Sequence, residues 1–233
     1  MVSEQDADVI IVGAGSFGCN AAWHLRQRGL DVLVLDRGSG PAAEATRAAA
    51  GFVAKFSFIH HSEWDAPEWE MQQYGIDFYR ALAKRCEQDI GYCASGIAYI
   101  YQTAEAWNSA QSVIEVARSF GTQLEILTAK RAAALLPEIR FKSTAGIVFD
   151  PEAIRLRADD AIATLAAELE QSGVRFEFGS QVEELLVDGD ESSRIVGVLT
   201  DHGVRNTSQV VIAAGAWSRP LLGTAGIELT ANP

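Results

Sequence analysis

At 233 residues, with 48% hydrophobic and 21% charged residues, the chain has ordinary globular composition and length for one large domain or two small ones. A formal net charge of −12 and a pI near 4.8 exclude nucleic acid as an expected partner, because phosphate-tracking proteins present a basic face. The acidic opening MVSEQDADV lacks the basic and apolar regions of a secretory signal, and no apolar run reaches the roughly 20 residues that span a bilayer, so the expectation is a cytoplasmic protein without a membrane partner.

Cys19, Cys86 and Cys93 fall in no metal or redox spacing and read as reduced thiols. His24, His60, His61 and His202 form no helical metal motif, so no metal is assigned.

In chain order, the apolar run 8–12 reads as a strand that feeds GAGSFG (13–18) and then a helix ending near Gly29. A second strand, 32–35, ends in Asp36. The alanine-rich segment 41–55 is expected to begin a helix, and 61–86 is helical, with Trp64, Trp69, Tyr74, Phe78 and Leu82 along one stripe. GIAYIYQT reads as a strand, 104–120 as a helix, 129–136 as a shorter helix stopped by Pro137, and AGIVFD as another strand. From Asp150-Pro151 a long helix is expected to about Ser172, stopped by Gly173. VRFEF, QVEELLVDGD, RIVGVLTDHG and SQVVIAAG follow as strands joined by glycine-containing turns. Three of them suit an antiparallel meander, and the first and last suit a central parallel sheet.

The glycine-rich turn carries the chemistry. Gly13 allows a tight turn, Gly15 lets a pyrophosphate approach the backbone, and Gly18 lets the helix pack on the strand. The helix start offers N–H groups to the phosphates. An acid at the end of the second strand, 18 positions after Gly18, completes a dinucleotide-binding arrangement. A carboxylate at Asp36 can accept from both ribose hydroxyls and would repel a 2′-phosphate, which disfavours NADP; the other reading of Asp36 is a turn aspartate before Gly38. Near the far end, VVI runs into Ala213, Ala214, Gly215 and Ala216, small residues that imply a close approach, either to a bound dinucleotide or to the glycine-turn helix.

From Asp36 to Val210 the numbering advances 174 positions, so the sheet is interrupted by a large insertion. With the glycine turn and Asp36-Arg37, the segment EATRAAAGF (44–52), the strand opening SQVEEL and the run VVIAAGAWS, the chain resembles the D-amino-acid oxidase superfamily of FAD-dependent oxidoreductases, which includes glycine oxidase and the sarcosine and dimethylglycine oxidising enzymes. The resemblance implies an α/β fold: a Rossmann-like FAD-binding domain with a central parallel sheet, an antiparallel β-meander and part of an inserted α+β substrate domain. The expected division is 1–60 with 150–233 for the FAD-binding domain and 61–149 for the insertion.

It also implies a cofactor, FAD, and its contacts. Gly13, Gly15, Ser16, Phe17, Gly18, Asp36 and Arg37 would hold the adenosine and pyrophosphate. Thr46, Arg47, Ala48 and Gly51 would run along the pyrophosphate and flavin, Val182 would meet the adenine, and Ala214, Gly215 and Trp217 would close on the dinucleotide. The implied reaction removes a hydride from the carbon beside an amine nitrogen of a small amine or amino acid. That step requires no protein nucleophile, so no catalytic residue is assigned.

Two departures from the family pattern are expected to matter. Asp36 stands where glutamate is common, and the chain is expected to lack the C-terminal part that completes the substrate domain. A nucleotide-binding subunit, or an inactive truncated module completed by a second chain, is the alternative. His60 and His61 read either as a substrate or flavin contact or as an ordinary exposed loop pair.

Overall fold

All four residues of β1 (Val9–Val12) are buried, as expected of a strand inside a parallel sheet. β2 (Val32–Asp36) lies on one side of it and β12 (Val210–Ile212) on the other, with β8 (Arg175–Phe178) beyond β2, so the order is β12-β1-β2-β8. Ile10 is in register with both Leu33 and Val210. The structure, a computed structural model, describes residues 5–56, 66–141, 143–189 and 194–228.

The glycine turn leads from β1 into α1 (Ser16–Gln27), which packs on α5 (Ala158–Gln171). Arg26 Nε donates to the Ser172 carbonyl at 2.7 Å and ties the ends of the two helices. One face of the sheet, through Ile10, Val12, Leu33 and Leu35, packs on Leu185 and Val198. Those two residues belong to an antiparallel meander of β9 (Val182–Val187), β10 (Ile195–Thr200) and β11 (Gly203–Asn206).

The chain divides into two compact units: Met1–Ala49 with Ala158–Pro233, and Ala50–Arg157. In the second unit β3 (Phe52–Val53) pairs antiparallel with β7 (Ile154–Arg155). β4 (Ile97–Tyr101), β5 (Glu125–Ile126) and β6 (Gly146–Asp150) form an antiparallel sheet in the order β4-β6-β5. α2 (Ala66–Arg85), α3 (Ala104–Ser119) and α4 (Ala129–Leu135) complete it. Thr103 and Thr128 cap α3 and α4, their hydroxyls accepting from Ala106 N and Arg131 N. Trp69, Ile114, Ala117 and Val148 form its core with Phe56, whose carbonyl accepts from the Tyr99 hydroxyl.

Lys55 is buried in this unit, and its Nζ lies 3.1 Å from Glu152 Oε2. Asp150 beside it is fully buried; its Oδ1 accepts from Glu152 N at 3.0 Å, while Oδ2 has no hydrogen-bond partner among the described residues. Burial pushes the Asp150 carboxyl above the usual carboxylate range, against the lowering effect of its backbone hydrogen bonds.

Three expectations need correction. Segment 41–55 is no helix: it forms turns, a short 3-10 turn at Ala45–Ala48, and β3. Alanine propensity is a weak prior, and here it loses to a left-handed Ala42 (φ 57°) and to the bond from Ala42 N to the Ala14 carbonyl at 3.0 Å. The helix expected from Asp150 begins only at Ala158, because the Asp150 side chain turns the chain into β7. RIVGVLTDHG is β10 and the start of β11, joined by a turn at Asp201 and His202. The described helix α2 begins at Ala66; Trp64 lies outside the described residues.

Candidate functional site

At the C-terminal end of β1 the chain turns through Gly13, whose φ of 110° is open to glycine alone. Gly13 N donates to the Leu35 carbonyl at 2.8 Å, so the turn is hung from β2. A Cβ on Gly13 would lie 2.5 Å from the Ala213 carbonyl oxygen, and one on Gly18 would lie 1.8 Å from the Gly13 oxygen. Gly18 is therefore a packing residue. Of the close approaches inferred for the small-residue run, the one to the glycine turn is present, at Ala213 against Gly13. At Gly215 an added Cβ would meet no protein atom within 4 Å, and the constraint there is a φ of 55°.

Asp36 organises the turn. Its Oδ2 accepts from Ala14 N at 2.6 Å and its Oδ1 from Gly38 N at 2.7 Å. The two expected roles of Asp36 are thus not exclusive: it is a turn aspartate, and it also lines the cavity described next. Its charge adds to burial in pushing the Cys19 thiol up to about 12, burial being the larger cause. Cys19 Sγ, beneath the turn, donates to the Ala14 carbonyl at 3.4 Å.

These elements surround a cavity of about 760 Å³ lying wholly within the first unit. Gly13, Gly15, Ser16 and Phe17 line it from the glycine turn, Asp36 and Arg37 from the end of β2, and Thr46 from the 3-10 turn. Val182 closes it from the meander, and Ala214, Gly215 and Trp217 from the segment after β12. Thr46 Oγ1 accepts from Ser16 N at 3.1 Å, which seats the 3-10 turn against the start of α1. Phe17 is 83% exposed, an aromatic left at the mouth of the cavity.

Arg47 and Ala48 are exposed and do not line the cavity. Gly51 belongs to the second unit, where its carbonyl accepts from Leu156 N at 3.0 Å. His60 and His61 lie outside the described residues.

Sequence reasoning gave no role to Glu44 and Ser180, which both line the cavity. Ser180 is buried, its N donates to the Asp36 carbonyl at 3.0 Å, and its Oγ has no hydrogen-bond partner among the described residues. Its place as the first residue of the quoted SQVEEL was the available signal. Among the described residues no group of three or more His, Cys, Asp or Glu side chains could hold a metal, and no helix is long and apolar enough to cross a membrane.

Comparison with known proteins places this geometry. The sequence profile of a family described as FAD dependent oxidoreductase matches residues 8–233. A 4-methylaminobutanoate oxidase (formaldehyde-forming) of Paenarthrobacter nicotinovorans is 28% identical over 94% of this chain and 26% of its own length. The mitochondrial pyruvate dehydrogenase phosphatase regulatory subunit of Mus musculus is 28% identical over 92% of this chain and 24% of its own. Among solved structures, glycine oxidase from Geobacillus kaustophilus superposes with a TM-score of 0.80 at 25% identity, covering 96% of this chain and 59% of that one. The chain thus spans about a quarter of the curated relatives and somewhat over half of that solved structure.

Proposed function

We propose that this chain, which belongs to the FAD dependent oxidoreductase family, binds FAD in the cavity over the end of β1 and serves the oxidation of a carbon–nitrogen bond in a small amine or amino acid. The observation that carries the reading is the convergence of the glycine turn, Asp36 and the Ser180–Val182 wall on one space of about 760 Å³. That volume is in the range of small-molecule and cofactor sites, and the space lies at the switch point of the parallel sheet, where such ligands bind.

The residues present fit the group. Ser16 N is taken by Thr46 Oγ1, but the next N–H groups, of Phe17 and Gly18, have no carbonyl a turn earlier, the N-cap Gly15 offers no side chain, and the first turn holds no acid. That leaves those N–H groups open to a diphosphate. Asp36 has acceptor capacity beyond its two backbone partners, since a carboxylate offers about four lone-pair sites; this would orient the ribose, and its charge would repel a 2′-phosphate. The unpartnered Ser180 hydroxyl supplies a spare polar group in the wall assigned to the adenosine end. When bound, FAD supplies the two-electron acceptor. The chain's part is to hold the dinucleotide by the glycine turn, fix its ribose end through Asp36, and enclose it with Thr46, Val182 and the Ala214–Trp217 segment.

The amine or amino-acid substrate is supported by the names of the similar oxidases. A second reading, a nucleotide-binding subunit that does not turn over, is favoured by the equal 28% identity to the mouse regulatory subunit. The test is the visible spectrum of the purified protein during FAD titration, followed by anaerobic addition of glycine, sarcosine, dimethylglycine, 4-methylaminobutanoate and D-amino acids. Flavin uptake without rapid bleaching is the expected result for this chain alone, with bleaching once it is joined to a part supplying the remaining length of the similar solved structures; stable flavin with no bleaching even then would move the assignment to the second reading. A folded, colourless chain that takes up no FAD would overturn both.

A further inference from the structure

The two strands that flank β1 each send a side chain toward its C-terminal end. Arg37 follows β2 directly, and Trp217 lies five positions beyond β12. Because β2 and β12 sit on opposite sides of β1, a contact between these residues crosses the crevice above the glycine turn. The contact is made: Arg37 Cζ lies 3.9 Å from the centroid of the Trp217 ring, and both residues line the cavity. Glu44 holds the same guanidinium, with its Oε1 accepting from Nε at 2.7 Å and lying 2.6 Å from Nη2 in an ion pair. Three separate stretches of chain are thereby joined through one side chain.

Neither link is a core contact. Trp217 is 45% exposed, and the Arg37 and Glu44 side chains are 37% and 38% exposed. An exposed cation–π contact shifts an equilibrium by only about two- to fivefold, and an exposed ion pair by a comparable or smaller factor. Such contacts break and re-form readily. An added Cβ on Gly215, two positions before Trp217, would meet no protein atom within 4 Å, so the ring's turn is not packed against the protein on that side.

We propose that Arg37, Glu44 and Trp217 form a strap across the crevice that opens to admit the dinucleotide and closes to retain it. This rests on the FAD reading above. The strap acts on exchange: it slows release, and its three members work as a unit, since the ring and the carboxylate both act through the one guanidinium.

The test is the FAD dissociation rate, read from the return of free-flavin fluorescence on dilution of the loaded protein. Trp217→Ala and Arg37→Ala should each release FAD about two- to fivefold faster, and Glu44→Gln should do so by a comparable or smaller factor. Trp217→Phe, which keeps a ring under the guanidinium, should stay within about twofold of the parent. Arg37→Lys keeps the charge but loses the planar fork and should behave like Arg37→Ala. The Arg37→Ala/Trp217→Ala double variant should release FAD no faster than either single one, the signature of a shared contact. Parent-like release from the single alanine variants, or factors that multiply in the double variant, would overturn the strap while leaving FAD binding intact. Failure of the parent to take up FAD at all would instead overturn the reading on which the strap rests.

Discussion

Replacing Gly13 by alanine tests the close approach of two strand ends that defines the site. The added Cβ would lie 2.5 Å from the Ala213 oxygen, 2.9 Å from its carbonyl carbon and 3.3 Å from Ala214 N, all backbone atoms that no rotamer change can move. Ordinary contact begins at about 3.5 Å, so the segment after β12 must retreat by about 1 Å. That segment is fixed by three register pairs between β12 and β1 and by the bond from Ala213 N to the Val12 carbonyl at 2.8 Å. Overpacking of this kind costs about 1–3 kcal/mol, and holding alanine at a φ of 110° adds about 1–3 kcal/mol. Taking about 4 kcal/mol in total and about 3 °C per kcal/mol for a chain of this size, the midpoint of thermal unfolding should fall by about 12 °C. Gly215→Ala is the control: its φ of 55° is open to alanine at about 1–2 kcal/mol, and nothing lies within 4 Å of the new atom. Differential scanning calorimetry of the two variants without added FAD gives the comparison. Equal losses, or a larger loss for Gly215→Ala, would refute the assignment of the close approach to Gly13.

Further outcomes follow from the same geometry. Asp36→Asn leaves only one acceptor oxygen for the Ala14 and Gly38 N–H groups, so it should lower the unfolding midpoint without FAD and weaken FAD binding about 10- to 150-fold, for about 1.5–3 kcal/mol lost; an unchanged midpoint and dissociation constant would contradict both roles. Cys19, with its thiol pushed up to about 12, is expected to stay unmodified by a thiol-exchange reagent at pH 8 until the chain unfolds, leaving only Cys86 and Cys93 open to native labelling; mass mapping of the labelled thiols would expose an error. For Asp150, burial raises the folded pKa above the unfolded one, so the native state binds a proton more tightly and loses stability as pH rises from the unfolded value through the folded one. Asp150→Asn does not titrate, and its stability relative to the parent should therefore improve between pH 4 and pH 7 in urea unfolding; a difference independent of pH would refute this.

The parallel-sheet half of the fold was legible because its signals are local. Val9–Val12 and Val32–Asp36 are buried apolar runs bounded by glycine and polar residues, and the turn between β1 and α1 needs glycines at fixed places. Segment 41–55 was not legible, because its conformation is set by Ala14 and Ser16, which lie far from it in sequence. β5 and β7, of two residues each, exist only by virtue of the strands they pair with, and no window of that length carries a period. The site divides the same way. Gly13, Gly15 and Asp36 announce themselves by spacing, whereas Glu44 and Ser180 are common residue types that matter through what surrounds them. In the run of small residues, the approach that the protein's own atoms account for is that of Ala213 to Gly13, a partner 200 positions away in sequence.

The pairing of Ile10 with Val210 has a consequence for how the molecule forms. β1 is made well before one of its two neighbours in the sheet, which follows 200 positions later. Until then its apolar backbone edge has no partner from its own unit. Residues 50–157 are continuous in sequence and can gather their contacts while synthesis proceeds. Loop-closure entropy makes the long-range pairing the slow step, so of the two units the first should be completed after the second, once β12 pairs with β1. During that interval β1 is an aggregation hazard, and a variant that slows the docking of β12 should lose yield in expression before it loses stability in the folded state.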